Sequence, residues 1–182
     1  MRQHVRSALA TLTAIVVVFP VPAFAQMAPT TLVERTPSYT MVLAVGPAES
    51  MVSSMDAMHG MSGEVAVDGE SAGMMADQPD QGMAVNHHLE VHITQGDSDA
   101  AVMDVIPTVR ITDKATGESR DLLHVMGMYG SSMGMTDFHF GQNVWLPDGT
   151  YLVSVKVGPE SALFRDVEVV DTAMMTDHDM AP

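Results

Sequence analysis

From Val85 onward the chain alternates short apolar runs with clusters of turn-forming residues. The runs at 86–95, 105–112, 120–126, 138–146, 150–157 and 163–170 are rich in Val, Ile, Leu or Thr and read as strands. The segments 113–117 (Asp-Lys-Ala-Thr-Gly) and 147–149 (Pro-Asp-Gly) carry hairpin-turn chemistry. Upstream, 39–45 is β-rich and stops at Gly46-Pro47, and 64–68 alternates as a short strand. Between them, Met51, Met55 and Met58 recur at one helical face, and Gly60 suits a helix end, so 48–59 is expected to form one short Met-rich helix. Residues 69–83 read as a mobile loop, 26–38 (with Pro29 and Pro37) as a flexible leader, and 171–182 as a disordered tail. Successive short strands with little helix predict an all-β antiparallel sandwich or barrel, here a β-sandwich domain over 39–170.

The first 25 residues follow a different pattern. Arg2 and Arg6 precede an apolar run over 8–21, and Ala23-Phe24-Ala25 is a small-x-small cleavage sequence. This is the layout of a secretory signal peptide, with cleavage expected after Ala25 and a periplasmic mature protein. The apolar run is short for a transmembrane span. Composition then narrows the partners. The chain carries 23 Asp and Glu against 8 Lys and Arg, a formal net charge of −15. Such a surface repels phosphate backbones, which argues against nucleic acid, and concentrates cations. With no cysteine, neither disulfides nor thiolate metal sites are available, and a blue-copper centre is excluded.

Eighteen methionines change the picture again. They gather at Met51, Met55, Met58 and Met61, at Met126, Met128, Met133 and Met135, and near the C-terminus. Thioether sulfur is a soft donor, the remaining Cu(I) ligand where thiols are absent, although each single Met also suits plain packing. Three segments place such donors beside histidine. In 86–93, strand alternation turns His87, Leu89, Val91 and Ile93 one way and His88, Glu90 and His92 the other. In 123–129, His124, Met126 and Met128 share a face if the strand continues. In 137–144, His139 lies between aromatic residues ahead of Gly141. Imidazole beside thioether and carboxylate points to copper, with iron, zinc or manganese also accommodated by Glu90. The bland alternatives are a solvated edge-strand face and structural histidines. No nucleophile elbow, phosphate loop, dinucleotide fingerprint or His-Glu-x-x-His motif occurs, so the chain reads as a binding protein rather than an enzyme.

Taken together, His88-Leu89-Glu90, the Met126-x-Met128 pair, the run His139 to Val144 and the Pro-Asp-Gly-Thr-Tyr hairpin resemble the periplasmic iron-transport accessory family, over roughly residues 85–158. The resemblance implies an immunoglobulin-like β-sandwich, often a homodimer, that binds copper or another divalent metal and serves a membrane permease in iron uptake. It also implies ligands His88, Glu90, His139 and one Met, taken as Met128 with Met126 beside it; Met133 or Met135 could substitute. A further histidine of that family has no counterpart over 158–170, which leaves only His178. A second resemblance, to periplasmic Cu(I) chaperones, rests on His92 and Met103 followed by His124-Val125-Met126. It implies a Cu(I) site on those four residues. A third reading is a metal-free interaction domain.

Overall fold

The computed structural model describes residues 30–67, 80 and 82–170. The expected signal peptide, the residues 69–79 of the expected loop and the tail with His178 lie outside the described residues. Among those described, ten strands form two antiparallel sheets with almost no helix. The strands are β1 Thr30–Arg35, β2 Tyr39–Pro47, β3 Glu64–Ala66, β4 His87–Gln95, β5 Thr108–Asp113, β6 Ser119–Asp121, β7 Met126–Gly130, β8 His139–Val144, β9 Gly149–Val157 and β10 Glu160–Val169. One sheet runs β1-β2-β4-β8-β7-β3 and the other β10-β9-β5-β6.

The two sheets share one apolar core, and period-two alternation builds it. Met41, Leu43 and Val45 of β2 and Leu89, Val91 and Ile93 of β4 meet Val109, Ile111, Val153, Val155 and Phe164 of the other sheet. The intervening residues of β2 and β4 are half-buried. The all-β, sandwich-like expectation therefore holds. Most expected strands appear within a few residues of their expected limits.

Three local expectations need correction. The leader expected over 26–38 contains β1, which pairs along its whole length with β2 and whose Thr30 hydroxyl donates to the Glu168 carbonyl on β10. Its prolines flank the strand rather than interrupt it. The single strand expected over 120–126 is two strands in different sheets. β6 ends at Asp121, Leu122 enters the core, and the chain crosses to start β7 at Met126. The helix expected over 48–59 is reduced to α1, Ser54–Met58, capped by the Ser53 hydroxyl accepting from the Asp56 N–H. Met55 and Met58 are exposed on it, and Met51 lies outside it in a bridge to Glu64. The stripe buries nothing, so no packing energy extends the helix. The far end of the expected loop is also anchored, because the Asp80 carboxylate accepts from Arg120 and from the Trp145 N–H.

A candidate metal centre on the outer face of the larger sheet

Residues directly opposite on paired strands share a face. The register pairs His88 with Asn143 and Glu90 with Gly141 across β4 and β8. It pairs Met126 with Gly141 and Met128 with His139 across β7 and β8, and Ala66 with Met128 and Glu64 with Gly130 across β3 and β7. His88, Glu90, His92, His139, Met128 and Glu64 therefore all lie on one face, the one opposite Leu89, Val91 and Phe140. That face points away from the sandwich core.

Its part around His88, His139, Met128 and Glu64 is nonetheless buried, beneath the connection from β2 to β3, while Glu90 and His92 stay partly exposed. Asn143 clamps this cover, its amide donating to the Glu49 carbonyl and its Oδ1 accepting from the Glu49 N–H. The Val52 N–H donates to the Glu64 carbonyl, the Glu64 N–H to the Ser50 carbonyl, and Ser131 ties down Gly63 from the β7–β8 side. Gly63 is required there, since its φ is +149° and a Cβ would stand 2.2 Å from the Ser50 oxygen. Under the cover His88 is 0% and His139 1% exposed.

Both rings are held so that one nitrogen is committed and the other is not. His88 Nδ1 lies 2.9 Å from Asn143 Oδ1, which as an acceptor requires Nδ1 to carry the proton. His139 Nδ1 lies 2.8 Å from the Asp137 carbonyl and must likewise donate. In the neutral rings Nε2 is then a lone-pair donor. Neither Nε2 has a hydrogen-bond partner, that of His88 facing no ion-pair partner among the described residues and that of His139 standing 3.3 Å from Glu64 Oε2. One ligand atom each from His88, Glu90 and His139 fall within 4.8 Å of one another, and so do those of His92, Asp137 and His139. The rings of His88 and His139 meet edge-on at 5.9 Å, and those of His92 and His139 at 5.1 Å. His92 Nε2 lies 3.3 Å from Glu90 Oε2, and this contact, against opposing burial, holds the Glu90 carboxyl below its usual range. Burial pushes His88 down. Burial would also lower His139, but Glu64 and the Asp137 carbonyl outweigh it and leave His139 raised.

The structure thus brings together His88, Glu90, His92 and His139. Met128 is fully buried directly opposite His139, and Met126 is half-buried opposite Gly141. Met133 and Met135, the alternatives, are exposed at the turn before β8. His124 does not share their face as expected, because it sits in the crossover between β6 and β7. It is exposed there, with its N–H donating to Gln142 Oε1. Met103 is 48% exposed on the segment after β4, which is joined to that strand by the Thr94–Ala101 bridge. Sequence reasoning missed Glu49, Glu64, Asp137 and Asn143. For Glu64 the signal was its place in an alternating strand; for Asn143, its spacing of four from His139. Compared with known families, with curated proteins and with solved structures, the chain matches none. The family resemblance rests on the quoted residues alone.

Proposed function

We propose that this protein is a periplasmic metal-binding protein that holds a copper or iron ion on His88, Glu90 and His139, with Met128 against them, and assists metal uptake or handling beside a membrane permease. The observation that carries this reading is the pair of buried Nε2 atoms, each left as the ring's free lone pair in the neutral form by a hydrogen bond at Nδ1 and neither engaged in a hydrogen bond of its own. Buried polar atoms are normally satisfied. A metal-ligating histidine characteristically gives its other nitrogen to a carbonyl or amide oxygen in this way. Metal–nitrogen bonds of about 2.0–2.1 Å put neighbouring ligand atoms about 3–4 Å apart, within the 4.8 Å span of the cluster. Binding then needs small side-chain adjustments and no change of fold.

The immunoglobulin-like description of the sandwich and a homodimeric state belong to the same proposal. The Cu(I)-chaperone alternative draws on donors that are less enclosed, since His124 and Met103 are exposed. Elemental analysis of protein isolated from the periplasm, followed by competition titration, tests the proposal. One tightly bound ion per chain is expected, lost in His88→Ala and His139→Ala and kept in Met103→Leu. Full retention in both histidine variants would refute the site, and loss in Met103→Leu alone would favour the chaperone reading.

A further inference from the structure

Glu64 is the least expected buried group in the molecule. It opens β3, a three-residue edge strand, yet it is only 4% exposed. Its Oε2 is buried without a hydrogen-bond partner and stands 3.3 Å from His139 Nε2, a contact not aligned as a hydrogen bond. A buried carboxylate whose one basic partner is an imidazole that need not be charged is a costly group for a fold to hold. Lysine and arginine do not relieve it. The ion pairs these residues make among the described residues are Arg110–Asp121, Lys114–Asp166 and Arg120–Asp80, and none includes Glu64.

The chain positions this carboxylate with care. Its own N–H and carbonyl are both bonded to the cover, at Ser50 and Val52. Across the ladder stands Gly130, where a Cβ would fall 2.8 Å from Asp137 Oδ2 and 3.5 Å from Glu64 Oε1. A side chain at that position would crowd the acidic groups that now approach His139. Glu90 and Glu49 are close by, so that burial and the charges of Glu64 and Glu90 push the Glu49 carboxyl up to about 7. The carboxyl groups of Glu49, Glu64 and Glu90 thus gather about buried histidines, and within reach of Glu64 the only counter-charge the described residues supply is a protonated His139.

We infer that Glu64 is a ligand of the ion, and that the centre, with two imidazoles and the carboxylates of Glu64 and Glu90, is built for a borderline divalent cation in preference to Cu(I). This rests on the metal-binding reading above and narrows it. Carboxylate oxygen is a hard donor and imidazole suits Zn, Cu, Fe and Ni, whereas Cu(I) favours sulfur. Two carboxylates also balance a divalent charge in a site that is largely buried. Because Glu64 belongs to the strand that carries the end of the cover, coordination ties the cover to β4 and β8 through the ion.

The test uses the mature protein with Co(II), Zn(II) and Cu(I) as separate probes, in wild type and Glu64→Gln, with the apo-proteins compared by circular dichroism. Glu64→Gln is expected to weaken Co(II) and Zn(II) by about 100-fold, at least the upper end of what loss of a supporting group costs, while Cu(I) affinity changes by less than about threefold. Unchanged Co(II) and Zn(II) affinity in Glu64→Gln, with wild type loaded, would overturn the role of Glu64 and leave the metal-binding reading standing. Wild type that binds none of the three ions would overturn that reading itself. Should Glu64→Gln not fold, Glu64→Asp serves: a shifted Co(II) visible spectrum supports ligation, and a spectrum identical to wild type refutes it.

Discussion

At the residue scale, the groups that hold the proposed ligands should matter nearly as much as those ligands. Asn143 both orients His88 and bolts down the cover through Glu49. Asn143→Ala is expected to lower metal affinity by about 10–100-fold and to cost the apo-protein about 1–3 kcal/mol, since it leaves buried partners unpaired; metal titration and urea unfolding measure the two separately. Gly141 is a tighter constraint. A Cβ there would stand 2.7 Å from the Leu89 carbonyl oxygen and 3.0 Å from His88 Nε2. The first neighbour is backbone and cannot swing aside, so Gly141→Ala should destabilise by about 1–3 kcal/mol and reduce metal occupancy as well. Glu49 supplies a pH signature. Its carboxyl is raised from 4.5 to about 7 in the fold, with burial the first cause and Glu64 the second. A raised acid favours folding below its unfolded value, and that contribution is lost as pH rises through the folded one. Glu49→Gln should therefore raise the melting temperature of the apo-protein relative to wild type more at pH 8 than at pH 5. An equal effect at both pH values would refute this assignment.

At the scale of elements, what was legible follows the range of the interactions responsible. β4 and β9 were visible because their alternation is set locally, residue by residue, against the core. The alternation in β4 also separated His88, Glu90 and His92 from Leu89 and Val91 before any partner strand was known. β1 was hidden because its pattern of half-buried and exposed residues carries almost no core face, so only pairing with β2 defines it. The break at Leu122 was hidden for the opposite reason. Leu122, Leu123, Val125 and Met126 lie close enough together to look like one strand whether or not the chain changes sheets among them. The assembly of the site depended on register, Met128 against His139 and Glu64 against Gly130, which no local pattern encodes. Edge protection gives a test at this scale. Without β1, β2 presents an unpaired ladder, so a chain beginning at Thr36 should form larger assemblies than a chain that keeps β1, as light scattering would register.

At the scale of the whole molecule, stability and metal load should be linked. An ion that binds only the folded state adds about 2.7 kcal/mol at 100 times its Kd. The melting temperature is therefore expected to rise with added metal and to return to the apo value with chelator. Phe164, fully buried between β9 and the core, offers the contrast. Phe164→Ala should cost about 3–5 kcal/mol yet leave metal affinity within a few-fold, because it lies in the other sheet, away from the outer face.

That contrast reflects a division of labour in the architecture. Folding is driven by one side of the β4–β8 pair, and chemistry is laid out on the other, beneath a strap of some fifteen residues whose sequence the core does not dictate. Such a layout behaves like a mounting plate with an exchangeable lid. On the proposed metal site, ion preference is expected to change when the segment from Glu49 to Glu64, Gly63 apart, is rewritten while the interior is left untouched.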